Sequence, residues 1–280
     1  MVEQKQPKVI LFDIGGVCVV SPFQAILDYE LSLGIPPGWV NYSISQTAPN
    51  GFWHKLERGS IPMDAIFFAG FTRDLNDKVR WRAFYKAAYQ RKDKTRKLLA
   101  VPPVPNMDGE LLFNEMMKAS NEPDPWIFPA LQALKDSGRY IIAALSNTVI
   151  FPPGHELHSE NYLAHPIRGL FDVFISSAHV GLRKPEPAIY QLALRETDVY
   201  ARKFASTQRG VASGWKDGVT ANDILFLDDI GENLKQGKTQ GFHTIKVNLG
   251  RTYEAVDKLE AITGLNLHGN YPRPLTKARI

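Results

Sequence analysis

The stretch VILFDIGGVCVV, residues 9–20, decides how the chain is read. An apolar run of strand length ends in one carboxylate, Asp13, and the turn that follows is built from Gly15 and Gly16. Taken alone, such an aspartate is commonly a turn or helix-capping residue. Its weight changes because the pattern recurs. YIIAALSNT (140–148), VFISS (173–177) and DILFLDD (223–229) are also short, nearly continuously apolar, and close on polar groups. HTIKVN (243–248) is similar but ends without an acid. Runs of this kind mark the strands of a parallel sheet covered on both faces.

Helix-like segments alternate with the later strands: PWIFPALQALKDSG (125–138), EPAIYQLALRET (186–197) and IGENLKQGKTQG (230–241). The alternation predicts an α/β fold, a Rossmann-like parallel sheet with helices on both faces. Ligands of such sheets bind at the carboxyl ends of the strands. The span 21–124 breaks the alternation with a run of helical stretches, from PFQAILDYELSLG to DGELLFNEMMKAS. Within it, Pro62 marks a helix start and Gly59 a helix end, and the aromatics of IFFAGF and FYKAAY read as its core. VPPVPN (101–106) and NEPDP (121–125) read as turns or hinges. The expected organisation is an α/β core from residues 1–20 and 125–280 with an all-helical insertion over 21–124. Two long loops, 149–169 and 206–222, carry no assigned role.

The totals narrow the function classes. The 280 residues carry a formal net charge of only +4, and the richest basic run, YQRKDKTRK (89–97), reads as a solvated helix end, so no nucleic-acid partner is expected. Cys18 is the single cysteine, which excludes an internal disulfide and reads as a small buried apolar residue. No apolar stretch approaches the length that spans a bilayer, and MVEQKQPK at the start has no secretory apolar region. A cytoplasmic location is expected; the terminal KARI only loosely resembles a peroxisomal address. Monomer and homodimer remain open.

Set side by side, the strand ends bring together Asp13, Ser146 with Asn147, Lys184, and the pair Asp228–Asp229. Adjacent acids closing an apolar strand repel and are costly to bury without a cation. They suit a hard ion such as Mg²⁺, which takes one or two carboxylates and keeps several waters. Asp13 can then act as a carboxylate nucleophile toward an anionic group. Lys184, Ser146 and Asn147 can contact phosphoryl oxygens, and Gly15 and Gly16 let the backbone come close.

These motifs, in this order, resemble the haloacid dehalogenase (HAD) superfamily. FDIGGV matches its first motif, LSNT the second, GLRKPEPAIY the third and FLDDIGENL the fourth, and the helical insertion matches a C1 cap. The resemblance covers nearly the whole chain and is nearest to the phosphatase-like branch found at the N-terminus of soluble epoxide hydrolase and at the head of some acyl-CoA dehydrogenases. It implies an Mg²⁺-dependent hydrolase acting on a small phosphorylated metabolite, a phosphate monoester, through an aspartyl-phosphate on Asp13. Asp13, the Gly15 carbonyl and Asp229 would hold the metal, with Asp228 acting through a bound water. Ser146, Asn147 and the Gly16 backbone would bind phosphate, and Lys184 would orient Asp13.

One position departs from the family. Most of its phosphatases carry a second aspartate two residues after the nucleophile, as general acid/base, where this chain has Gly15. The alternatives are therefore a weak or silent phosphate-binding protein, or a dehalogenase. The dehalogenases usually have an aromatic residue there and lack the double acid.

Around this centre, Trp53, His54 and Glu57 fall on one short helix and are candidates for substrate contact. His155, His158 and His165 fit no structural zinc spacing, and one of them is a candidate replacement acid/base. Arg183 is expected to face solvent, and Asn233 to steady the acid loop.

Overall fold

A computed structural model describes residues 6–92, 100–158 and 167–268. The KARI tail, His165 and the end of the basic run lie outside the described residues.

The chain begins with strand β1 (Val9–Phe12), continues through helices α1 (Phe23–Ser32), α2 (Trp39–Gln46), α3 (Phe52–Glu57), α4 (Ala65–Leu75), α5 (Lys78–Lys92) and α6 (Gly109–Ala119), and then alternates. α7 (Ile127–Asp136) leads to β2 (Ile141–Ser146), and β3 (Val173–Ser176) runs directly into the short α8 (Ser177–Val180). α9 (Pro187–Lys203) and α10 (Gln208–Ala212) precede β4 (Ile224–Asp228), which is followed by α11 (Gly231–Thr239), β5 (His243–Lys246) and α12 (Tyr253–Thr263). All strand pairings are parallel, in the order β3-β2-β1-β4-β5.

The continuous apolarity of the strands has a direct cause. Val9 and Leu11 point to one face, with Ile141, Ala143 and Phe226, and pack against Ile189, Tyr190 and Ala193 of α9. Ile10 and Phe12 point to the other, with Ile142 and Leu227, against Leu131 and Leu134 of α7 and Val256 and Leu259 of α12. Both faces are dry, so each aliphatic side chain contributes about 1.5–3 kcal/mol relative to exposure. The span expected as a long loop over 206–222 instead holds α10, capped by Thr207, whose Oγ1 accepts from the Gly210 N–H at 3.0 Å, and 3₁₀ turns at Trp215–Asp217 and Ala221–Asp223. α8 and α12 are also unexpected from the sequence, although the buried Ala255, Val256, Leu259 and Thr263 of α12 follow the helical period.

β1 is the central strand, and the chain visits β2 and β3 on one side before returning to β4 and β5 on the other. The strand order thus reverses between β1 and β4, the position where a crevice opens at the strand ends. Phe12 pairs with Leu227, and the Asp13 N–H donates to the Leu227 carbonyl at 2.9 Å. The next residues on the two strands, Asp13 and Asp228, are therefore forced together.

Helices α1 to α6 have their own apolar core. Trp39 and Trp81 meet edge to face at 5.2 Å, and Phe67 stacks on Phe71 at 5.8 Å. Phe84 of FYKAAY is buried in the same cluster. α4 starts later than Pro62 suggested: Asp64 caps it, accepting from the N–H groups of Ile66 and Phe67 at 2.9 and 3.0 Å. A capping carboxylate satisfies two otherwise orphaned donors, which a proline cannot do. Gly59 follows α3 with φ +64°, and a Cβ there would collide with the Ala178 carbonyl, where the inserted helices press on α8. The two backbone crossings into and out of this module pair with each other: Val20 N–H donates to Glu122 O at 2.8 Å and Asp124 N–H to Cys18 O at 2.9 Å.

Candidate active site

The site grows from the end of β1. Asp13 is 6% exposed. Its Oδ1 accepts from the Ile14 N–H at 2.7 Å and lies 2.8 Å from Lys184 Nζ. Its Oδ2 accepts no bond among the described residues. Lys184, fully buried, also donates to Asp228 Oδ2 at 2.7 Å. Asp228 is saturated further by the Ile230 N–H at 2.7 Å and by Asn233 Nδ2, 3.1 Å from each of its oxygens. Asp13, Asp228 and Asp229 are all buried, with one oxygen of each within 4.8 Å of the others.

The electrostatics are unbalanced: three carboxylates face one ammonium. Burial pushes Asp13 up to about 8, with Lys184 pulling it down and Asp228 and Asp229 pushing it further up. Burial and then Asp228 push Asp229 up to about 6. Burial lowers Lys184, but Asp13 and Asp228 outweigh it and leave its pKa raised. A buried group of this composition could hold a hard divalent cation. Asp13 and Asp229 have carboxylate capacity left to meet such an ion, whereas Asp228 is already fully engaged and would steady them from behind.

A cleft of about 340 Å³ opens above this cluster. Its floor includes Asp13, Gly15, Ser146, Lys184 and Asp229. Its far wall comes from the inserted helices and is mainly apolar, with Phe23, Ile26, Ile44, Trp53, Met116 and Met117, interrupted by Asn41, Glu57 and Ser120.

The structure gathers Asp13, Ser146, Asn147, Lys184, Asp228 and Asp229 as the motifs suggested, but redistributes several roles. Asn147 is a clamp on Lys184: its Oδ1 accepts from the Lys184 N–H at 2.8 Å and its Nδ2 donates to the Lys184 carbonyl at 3.1 Å. The Gly16 N–H is taken by the Val19 carbonyl at 3.1 Å, so it is not the phosphate donor expected. Gly16 is needed for space instead, because at φ +74° a Cβ would lie 2.7 Å from Asp229 Oδ2. His54 is 3% exposed and absent from the cleft lining, while its neighbours Trp53 and Glu57 are there. The i, i+4 spacing brings Trp53 and Glu57 to the cleft side of α3 and turns His54 inward. His155 is outside both that lining and the acidic cluster, and His158 lines a neighbouring cavity.

Arg183 is not solvent-facing. Its Nε and Nη2 donate to Glu57 Oε2 at 2.9 and 2.6 Å, and Arg58 Nε donates to Glu186 Oε1 at 2.8 Å. Ser177 Oγ adds a bond to the Glu57 carbonyl at 2.6 Å. The inserted α3 is thereby fastened to the segment that delivers Lys184. The complementary signs of Glu57–Arg58 and Arg183–Glu186 are visible in the sequence, but nothing local pairs residues so far apart. Asn233 holds the acid loop, as its place after the double acid suggested.

The parallel five-stranded sheet with a helical insertion after its first strand is similar in fold to the HAD-like proteins. A dehalogenase crystal structure shares the fold at a TM-score of 0.50, with 16% identity, covering 93% of this chain and 98% of that one. Among curated proteins, acyl-CoA dehydrogenase family member 10 of Mus musculus is 26% identical over 273 residues, 96% of this chain. Bifunctional epoxide hydrolase 2 of Mus musculus is 25% identical over 258 residues, 92% of this chain. The chain spans 20% and 39% of the length of these two relatives. No protein-family model matches the chain.

Proposed function

We propose that the protein is an Mg²⁺-dependent hydrolase of phosphate monoesters that works through phosphorylated Asp13. The observation that carries the reading is the buried triad of Asp13, Asp228 and Asp229 with a single lysine. Its net negative charge calls for a divalent cation, through which an anionic substrate could then approach, and a metal-free C–halogen hydrolysis has no use for the second and third acids.

In this reading Asp13 and Asp229 hold the ion, which when bound supplies neutralising charge for the carboxylates and for phosphoryl oxygens. A carboxylate oxygen of Asp13 attacks phosphorus, the phosphorus–oxygen ester bond breaks, and the leaving alkoxide takes a proton from water in the cleft. The hydroxide left by that proton transfer then attacks the phosphorus of the aspartyl-phosphate, the Asp13 carboxylate leaves, and inorganic phosphate is released. Lys184 keeps Asp13 oriented, and Asn147 and Asn233 fix Lys184 and Asp228. The ester's organic group faces Phe23, Trp53, Met116 and Met117, which favours substrates with an apolar portion near the phosphate.

The test is phosphate release from an aryl phosphate and an alkyl phosphate, with Mg²⁺ and with chelator. Metal-dependent release that disappears in Asp13→Asn with the fold intact is the expected result. Release that persists in Asp13→Asn, or no release from either ester despite Mg²⁺ binding, overturns the reading; the latter favours a silent phosphate-binding protein.

A further inference from the structure

The polar interruptions of the cleft's far wall are not equivalent. Ser120 Oγ is spent on the Met116 carbonyl at 2.9 Å, and Asn41 is exposed. Glu57 is buried, and it lines the cleft together with Arg183. Their ion pair leaves each with one polar atom to spare. Arg183 Nε and Nη2 both donate to the same oxygen, Glu57 Oε2. Glu57 Oε1 accepts no hydrogen bond, and Arg183 Nη1 donates none, among the described residues. The pair is held in place from both sides. Ser177 Oγ donates to the Glu57 carbonyl, and Arg183 precedes Lys184, whose backbone Asn147 grips and whose ammonium lies 2.8 Å from Asp13 Oδ1.

The charges within the pair cancel. An added anion would meet Glu57 and an added cation would meet Arg183, so the complement is a neutral group that donates to a carboxylate oxygen and accepts from a guanidinium. At side-chain exposures of 10% and 14%, bulk water has little access to either atom. A site built to hydrogen-bond a hydroxyl or an amide rejects the analogue lacking it far more strongly than an apolar wall rejects one methylene.

We propose that Glu57 Oε1 and Arg183 Nη1 determine specificity by binding a neutral hydroxyl or carboxamide on the organic portion of the substrate, while the ester phosphate sits at Asp13. The rest of the organic portion then lies on the apolar wall. The proposal rests on the phosphate-ester reading above.

The experiment compares hexyl phosphate with derivatives that carry a hydroxyl, a carboxamide or a methoxy group at each position of the chain in turn. Binding to the full chain bearing Asp13→Asn, with Mg²⁺, is measured by calorimetry. At one position the hydroxyl or the carboxamide should bind at least about tenfold more tightly than hexyl phosphate, the scale of one hydrogen bond to a charged group. The arm that wins names the group. A methoxy group accepts but cannot donate, so it should keep only the part owed to Arg183. Adding Glu57→Gln should reduce the preference for the winning group over methoxy. Adding Arg183→Lys, which keeps the charge and loses the planar fork, should reduce the preference for methoxy over plain hexyl. Lost fastening of α3 alone would weaken all these ligands alike and leave the ratios unchanged. Equal affinity at every position, a methoxy derivative that binds as tightly as the winning one, or ratios unchanged by either variant in proteins with unchanged circular dichroism, overturns the proposal. Turnover by the unsubstituted protein is read separately. A binding preference without phosphate release sinks the hydrolysis reading and leaves the specificity pair, whereas release without preference does the reverse.

Discussion

Asn147 grips Lys184 by its own backbone, accepting from its N–H and donating to its carbonyl. The amide from the end of β2 therefore sets where the ammonium sits between Asp13 and Asp228. Asn147→Ala should lower kcat by about 10²-fold, the scale of a misplacement near the reacting atoms, with a smaller effect on KM. Steady-state kinetics on an aryl phosphate check this. An unchanged kcat would show that Lys184 finds its position without the clamp.

Gly15 has room for the side chain it lacks. A Cβ built there meets no heavy atom within 4 Å, and its φ is not in the left-handed region. Gly15→Asp should fold and should raise turnover of alkyl phosphates by about 10²-fold, within the range of a positioned acid/base. Aryl phosphates, whose leaving groups need little protonation, should gain far less. Equal gains on both, or none, would mean that a different group already serves as the acid.

The acidic cluster makes metal-free protein sensitive to pH. Asp13 and Asp229 have folded-state values raised to about 8 and about 6 by burial first, above their ordinary unfolded values near 4. The folded state thus binds more protons than the unfolded state in that window, so stability falls as pH rises from about 4 to 8. In chelator, Asp13→Asn should be more stable than the unsubstituted protein, by more at pH 8 than at pH 5, and Mg²⁺ should narrow the gap. Urea titrations at the two pH values provide the check. An Asp13→Asn protein less stable at pH 8 would contradict the charge balance described here.

His54 acts in the opposite sense. Burial, then Arg183 and Arg58, lower it to about 4, while the unfolded state protonates near 6.5. The unfolded state binds the extra proton between those values, so this group's contribution is present above about 6.5 and is lost as pH falls toward 4. With Mg²⁺ present, the stability difference between the unsubstituted protein and His54→Gln should shrink across that window on acidification. A difference that stays constant would place the imidazole in water.

The Glu57–Arg183 pair fastens the inserted helices to the lysine-bearing segment at side-chain exposures of 10% and 14%. Glu57→Gln should lower kcat/KM by about tenfold. A double-mutant cycle with Arg183→Gln should show coupling of about 1 kcal/mol or more. Strictly additive losses would mean that the two side chains act apart.

Much of this architecture was legible in the sequence, and the reason is local. Strands buried on both faces must be apolar throughout, so an acid at the end of VILF or of ILFLDD stands out. Once β1 and β4 are recognised as neighbours, Asp13 and Asp228 follow from register. What stayed hidden depends on direction rather than composition. Three consecutive residues, Gly15, Gly16 and Val17, do not reveal which N–H groups a turn consumes; Val17 donates to the Ile14 carbonyl and Gly16 to that of Val19. The string FWHKLE does not state which side of a six-residue helix meets the cleft; the structure chooses Trp53 and Glu57 and turns His54 inward. Arg183 reads as a surface residue until Glu57, far away along the chain, is brought beside it.

The pairing of Val20 with Glu122 and of Cys18 with Asp124 places the two ends of the helical module one backbone width apart. A segment whose ends are already joined can be exchanged, lengthened or remodelled with little disturbance to the sheet below. The wall of the cleft and the acidic cluster beneath it are thus housed on separately alterable stretches of one chain, coupled through the few side chains that reach across.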